Sequence, residues 1–542
     1  MPGAGTKAPP FQPWREALKQ VLLNMTTYDT IPYPSYSYPQ SAPGTLSAIA
    51  RIFGMQPTHV TKARVLEIGC ASGGNLLPLA ARYPAATFLG VDLSEKQIEQ
   101  AKQQASALDL ENITFEAKSI LEFDIKEEKF DYIIAHGVYS WVPANVQERI
   151  LEICGENLSN NGVAFVSYNT LPGWNAVKTI RDMMLYHTRN FDEPAQKVLE
   201  ARRILNFVIE GLEAASGPHK QILEREVNTL KETDDNYLLH DHLEVINDPC
   251  YFHEFMEKAG KHGLIYLGDA GLPSMFLGNY TERVSNTLRQ IDDTIRQEQY
   301  LDFIDNRRFR ETLLVKEGCS LNRRLTPAIL DGLRFIPCYD LSQPIETGSE
   351  GTVENLDLVA LQGGRKANMI GKIACVAYVA LLRAAPLPQS LDEIAASAAD
   401  ISDIDKKVIR KEFGVLALKL IFNGVLSVTT DNVPYHIKTP SEKPKAFPVA
   451  RLQSLTMNKV PNLRHEIVTL SNDLKLVFQY VTGENSKEQI AELLKEHIEK
   501  GELTLHVNGK PLEKDSPDIE QYLPQYIDAR IMNLANSALL VG

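Results

Sequence analysis

At 542 residues the chain exceeds what a single hydrophobic core serves, and 44% hydrophobic with 23% charged residues is the composition of an ordinary globular protein. With 69 acidic residues against 56 Lys and Arg, the formal charge of -13 disfavours phosphate backbones and anionic lipid as general partners. Six scattered cysteines form no CxxC pair, no signal-peptide pattern opens the chain, and no run nears the ~20 apolar residues of a membrane span. A cytoplasmic, multidomain protein is expected, with no metal, no nucleic-acid partner and no membrane insertion.

In chain order, the first strand-turn-helix reads from ARVLEIGCASGGNLLPLAARY: an apolar run at 65–68, a glycine-rich turn at 69–74, and helical spacing from Leu76. ATFLGVD is a second strand ending at Asp92. Ser94 and Gln97 form a capping box for the helix SEKQIEQAKQQASAL, whose Ile98, Ala101, Ala105 and Leu108 share a face. Strands follow at 113–119, 130–137 and 163–170, with a helix at 145–158, the turn SNNG, and a helix near 176–187. Such alternation implies a parallel, doubly wound sheet with right-handed crossovers.

A charged helical stretch at 192–235 interrupts the pattern and reads as an insertion. HEFMEKAGKHGLIYLGDA supplies a helix and a strand, and RRFRETLLVKEG a final strand. The expected division is a lid segment 1–45, a core 46–191, a helical insertion 192–245, the rest of the core 246–320, a middle unit 321–440 and a C-terminal α+β unit 441–542. Helices near 370–384, 390–398 and 404–422, followed by GVLSV, suggest that the middle unit is winged-helix-like. VPYHIKTPSEKPKAFPVA reads as a linker, and LTLHVNGKPL as a hairpin turning at Asn508 and Gly509.

In doubly wound sheets ligands bind beyond the C-terminal strand ends, where a glycine-rich turn admits them to the backbone. Gly69-x-Ala71-x-x-Gly74 also fits a relaxed dinucleotide fingerprint. Glu67, two residues before Gly69, together with Asp92 ending the second strand, favours S-adenosyl-L-methionine, whose ribose hydroxyls the two acids would accept. The transferred methyl would meet its nucleophile at the end of the fourth strand, where His136, Tyr139 and Trp141 lie. For a lysine acceptor, Tyr139 or the Asn169 carbonyl could receive its proton, and aromatic rings would stabilise methylated ammonium. His240, Asp241 and His242 are too few for a metal site. On a helix of the insertion, Ile204, Phe207, Val208 and Leu212 form an apolar stripe expected to meet a second copy or the middle unit.

VLEIGCASGG, VDLS and FDYIIAHGVYSWVP resemble the class I S-adenosylmethionine-dependent methyltransferases, with Ala71 replacing the commoner glycine at little cost if its φ stays negative. YDTIPYPSYSYPQSAP, AHGVYSWVP, VSYNTLPGW, HDHLEVINDPCYF and NRRFRETLLV are similar to bacterial methyltransferases with a regulatory domain. That group includes the rickettsial protein-lysine methyltransferases acting on an outer membrane protein. The resemblance implies a Rossmann-like methyltransferase domain, an open active site, a dimerisation insertion and a protein substrate. It also implies Gly69 and Gly73 at the methionine part of the cofactor, Asp92 at the ribose, and Ser119 with Ile120 at the adenine, and Cys70 and Leu93 are counted with them. The cluster Tyr28, Asp29, Pro32, Tyr33, Ser35, Tyr36 and Tyr38 is expected to close over the cofactor. Alternatives are a small-molecule N/O-methyltransferase and a DNA-binding regulator using Lys406, Lys407, Arg410 and Lys411.

Overall fold

The computed structural model describes residues 35–125, 129–213, 216–346, 348–361, 363–432, 437, 439–507 and 509–542. Its centre is a seven-stranded sheet in the order β3-β2-β1-β4-β5-β7-β6. The strands are β1 Arg64–Ile68, β2 Thr87–Asp92, β3 Ile113–Ala117, β4 Phe130–Ala135, β5 Leu158–Asn169, β6 Leu264–Asp269 and β7 Phe309–Lys316. Chain order and spatial order part at β1, between β2 and β4, so the first glycine turn lies at the point where the winding reverses.

The sheet is not wholly parallel as expected: β7 runs antiparallel to both β5 and β6. The turn assigned to SNNG is also absent, because β5 begins at Leu158 and runs through those residues. Both faces are covered, with alternate residues going to opposite layers. Tyr132 and Ile134 join one core, and Ile133 and Ala135 the other. Arg310 on β7 is buried among Asp302, Asp269 and Glu298, with its guanidinium 3.9 Å from the Phe252 ring. Removing any one partner there would leave a buried charge uncompensated.

Helices Trp174–Thr188, Pro194–Leu212 and Pro218–Lys231 pack around a separate apolar cluster of Ile180, Met184, Leu205 and Val227. The stripe expected to seek a partner is largely satisfied within the chain. Leu212 is buried, Ile204 and Val208 pack against that cluster, and Phe207 alone of the four is 66% exposed.

The middle unit has the three helices and following strand expected from the sequence, with a further short strand between the first two helices. Lys372–Ala384, Leu391–Asp400 and Lys406–Phe422 pack on a sheet in which Arg334–Pro337 lies between Gln389–Ser390 and Leu426–Thr429. Asp431 clamps this unit to the core by accepting from buried Arg82 and from the Tyr83 hydroxyl. Arg410 is no free basic residue, since it pairs with Asp392 and Asp331, each at 2.8 Å.

The stretch read as a linker is built into the fold at its end. Ala446 bridges to Leu540, Phe447 is fully buried, and Pro448–Ser454 is a helix against Leu76–Arg82. Proline there starts a helix at a position that needs no amide hydrogen. The expected hairpin forms between His506–Val507 and Lys510–Pro511, with Gly509 at φ 75°; Asn508 lies outside the described residues.

Candidate active site

After β1 the backbone enters the left-handed region three times, at Gly69 (φ 74°), Ala71 (φ 48°) and Gly73 (φ 78°). Glycine is required at the first. A Cβ on Gly69 would stand 2.3 Å from Val138 Cγ2, and Gly73 leaves room for the Phe115 ring at 2.8 Å. The expectation that Ala71 keeps a negative φ fails. The strain, on the order of 1–2 kcal/mol, is offset by its amide, which donates to Asp92 Oδ2 at 2.9 Å. Asp92 Oδ1 accepts the Ser94 amide at 2.9 Å, and the Ser94 hydroxyl caps the next helix by accepting from Gln97 N. Asp92 therefore ties the glycine turn to the end of β2.

Glu67 is buried beneath this turn. Its Oε1 accepts from Asn75 Nδ2 at 2.8 Å, and Oε2 has no hydrogen-bond partner among the described residues. Burial, reinforced by Asp92, pushes its carboxyl up to about 8, with the Asn75 bond opposing. Asn75 is itself held from three segments. The Tyr38 amide donates to its Oδ1 at 3.0 Å, its Nδ2 donates to Ser41 Oγ at 3.2 Å, and His465 Nε2 lies 2.7 Å from the same Oδ1.

A cavity of about 760 Å³ opens over these strand ends. Glu67, Gly69, Cys70, Asp92, Leu93, Ser119 and Ile120 line it, as the sequence pattern expects of cofactor residues. Gly73 does not; its missing Cβ leaves room for the Phe115 ring against the turn. Leu93 is half-exposed, and Ser119 Oγ accepts the Leu121 amide at 3.3 Å, fixing the short turn that carries Ile120. Of the N-terminal aromatic cluster, Tyr28, Asp29, Pro32 and Tyr33 lie outside the described residues. Ser35, Tyr36 and Tyr38 line the cavity, and Ser35 Oγ accepts the Gly74 amide at 2.8 Å.

The same cavity continues past β4. His136 lies beside Tyr38 with ring centroids 3.9 Å apart and planes tilted by 44°, and burial lowers its pKa to about 4, which keeps it neutral. Trp141 meets Trp174 edge to face, at 6.5 Å and 84°. Asn169 is nine-tenths buried, its backbone carbonyl accepts the Cys250 amide at 3.3 Å, and its Nδ2 has no partner among the described residues.

Tyr139 is the clear misplacement. It is fully buried between Phe255 (5.2 Å) and Tyr168 (6.0 Å), belongs to the core, and is not on the cavity wall. The loop after β4 makes a tight turn at Tyr139–Trp141, so only one of its two large aromatics can face the cavity.

Sequence reasoning missed the far wall. Tyr237, Asp241 and His242 come from the insertion, Trp174 from the helix just before it, and together they complete the cavity. The HDH triplet was visible in the sequence as a weak metal pattern; its signal was instead a π-helical turn, Leu238–His242, a geometry that often marks functional sites.

Comparison with known proteins joins these parts. Residues 59–208 match the family model of a methyltransferase domain, 234–316 that of a predicted methyltransferase regulatory domain, and 442–539 that of a PKMT C-terminal winged helix domain. The winged-helix match thus falls on the unit read from sequence only as α+β. An uncharacterized protein of Rickettsia prowazekii is 38% identical over 520 residues, covering 95% of this chain and 93% of that protein. A second from the same organism is 43% identical over 238 residues, 44% of this chain and 95% of its own length. The solved structure of PKMT2 from Rickettsia typhi, determined also in complex with AdoHcy, superposes with a TM-score of 0.85 at 32% identity, covering 94% of this chain and all of that one.

Proposed function

The chain belongs to the family of class I, S-adenosylmethionine-dependent methyltransferases that includes the rickettsial PKMT proteins, and from that premise we propose that it methylates lysine side chains of a protein. We take an outer membrane protein as the substrate, acted on in the cytoplasm by a homodimer joined through the inserted helices at 192–245. Among the described residues no helix is long and apolar enough to cross a membrane, and exposed Phe207 offers the insertion an apolar contact.

The observation that carries the reading is one continuous cavity with two chemically different ends. At one end Glu67, Gly69, Cys70, Asp92, Leu93, Ser119 and Ile120 are assigned to the cofactor. Buried Glu67 Oε2, without a partner among the described residues, supports the fit of a hydroxylated, cationic guest. At the other end Trp141 and Trp174 present perpendicular indoles, a surface that favours an alkylammonium by cation–π attraction.

When bound, S-adenosylmethionine supplies a sulfonium methyl, which the amine takes as the carbon–sulfur bond breaks to leave S-adenosylhomocysteine. Only a neutral amine has the lone pair for this. A lysine pKa near 10.4 sets a deprotonation cost of about 4–5 kcal/mol at pH 7. His136, held neutral and walled by aromatics, and Asn169 are assigned to orienting and dehydrating the acceptor, which matters more in an in-line displacement than a strong base does.

The test is incubation with labelled methyl donor and purified cell-envelope proteins, followed by mass spectrometry. Methyl groups on lysine Nζ are expected. Label confined to a small molecule would replace this reading with that of a small-molecule N/O-methyltransferase.

A further inference from the structure

We propose that Asp241 draws the acceptor lysine into the cavity as its ammonium ion, before the neutral amine that attacks is formed, in a chamber that the insertion adds to the cofactor cleft; this rests on the protein-lysine reading above.

Five carboxylic acids line the cavity: Glu67, Asp92, Glu226, Asp241 and Glu244. Four are engaged. Glu67 accepts from Asn75, Asp92 from the amides of Ala71 and Ser94, and Glu226 from both terminal nitrogens of Arg308. Glu244 lies 3.7 Å from His240 Nδ1. Asp241 makes no hydrogen bond or ion pair with any described residue.

A secluded carboxylate without a partner is costly, and a cationic guest relieves that cost. Burial pushes Asp241 up to about 7, with Asp234 adding to the rise and His240 opposing it. The cations already in the cavity do not neutralise it: Arg308 is spent on Glu226, and Lys118 follows β3 at the cofactor end.

The local fold explains why this acid faces inward. In the π-helical turn Leu238–His242, Leu238 and Leu239 enter the apolar cluster of the insertion, while Asp241 and His242 line the cavity. The walls around Asp241 are aromatic. The His242 ring lies nearly parallel to Trp174 (6.5 Å, 12°) and 5.6 Å from Tyr237, and Trp174 in turn meets Trp141. Asp241 and Tyr38, which lies beside His136, line the same cavity, and Asp241 adds to the rise of the Tyr38 pKa. One carboxylate among flat rings selects a cation on an alkyl stem, and it repels acidic small molecules.

The experiment uses the full-length protein and a peptide bearing one lysine. The same peptide with norleucine, which keeps the alkyl chain without the ammonium, serves as competitor. Asp241→Asn preserves shape and removes charge. The expected result is a peptide KM raised roughly ten- to hundredfold, with loss of the wild-type preference for lysine over norleucine. S-adenosylhomocysteine affinity should stay within about twofold, and Asp241→Glu should recover part of the loss. An unchanged peptide KM, or an equal fall in S-adenosylhomocysteine affinity, overturns the assignment of Asp241 and leaves the lysine reading intact. If the wild-type protein binds S-adenosylhomocysteine but places its methyl groups on no lysine of the peptide or of envelope proteins, the reading itself falls, and this inference with it.

Discussion

Replacing Glu67 by glutamine isolates a proton that the fold holds in place. Glu67 is buried on β1, and its carboxyl is raised from 4.5 to about 8, chiefly by burial. Between those two pH values the native protein keeps a proton that the unfolded chain has released. Stability is therefore fullest below pH 4.5 and is lost as pH rises through about 8. That gap, at about 1.4 kcal/mol per pH unit, amounts to about 5 kcal/mol at most. Glutamine is permanently neutral, and its carbonyl oxygen still accepts from Asn75 Nδ2, so Glu67→Gln removes this loss while keeping the bond. Thermal midpoints of the cofactor-free protein, measured from pH 5 to pH 9, should show the variant gaining on wild type with each step up to about pH 8. An ionised Glu67 also attracts a cationic cofactor more strongly, so wild-type S-adenosylmethionine affinity should rise across that window and the variant's should not. Parallel stability curves for the two proteins would refute the buried proton.

The other substitutions test separate parts of the site. Asp92→Ala removes the acceptor of the Ala71 and Ser94 amides as well as the expected ribose acceptor, so calorimetry should record a roughly ten- to hundredfold loss of S-adenosylmethionine affinity; unchanged affinity would exclude the role. Gly69→Ala forces a methyl to 2.3 Å from Val138 at φ 74°, and both cofactor affinity and melting temperature should fall together. Tyr139→Phe should leave turnover and stability near wild type, because the hydroxyl has no partner among the described residues, whereas Tyr139→Ala should cost about 3–5 kcal/mol; a large activity loss in a stable Tyr139→Phe protein would restore it to the active site. His465→Ala should weaken S-adenosylmethionine binding a few fold although the residue lies in the C-terminal unit, and His465→Gln should recover part of that loss by replacing the bond to Asn75.

What the sequence disclosed and what it hid divide along the range of the interactions. β1, the glycine turn, β2 ending at Asp92 and the Ser94 cap were legible because each is set by a short apolar run, turn chemistry or a spacing of three residues. Tyr139 and Trp141 could not be separated in that way. Both are aromatic and lie two apart, yet the short turn between them sends one into the core with Phe255 and the other to the cavity. Nor could the sign of φ at Ala71 be inferred, since it is stabilised by a carboxylate 21 residues away. Asn75 sets the limit most sharply. Within the helical pattern after the turn it reads as an unremarkable polar residue, but its amide joins Glu67, Tyr38, Ser41 and His465, partners separated from it by 8, 37, 34 and 390 positions. An amide with one oxygen and one nitrogen that is bonded by four residues can hold its place only if the three segments that carry them are folded together. The cofactor end of the cavity is thus lined by the sheet and the segment around Tyr38, while His465 of the C-terminal unit, which does not line it, fixes Asn75 and through it the geometry around Glu67.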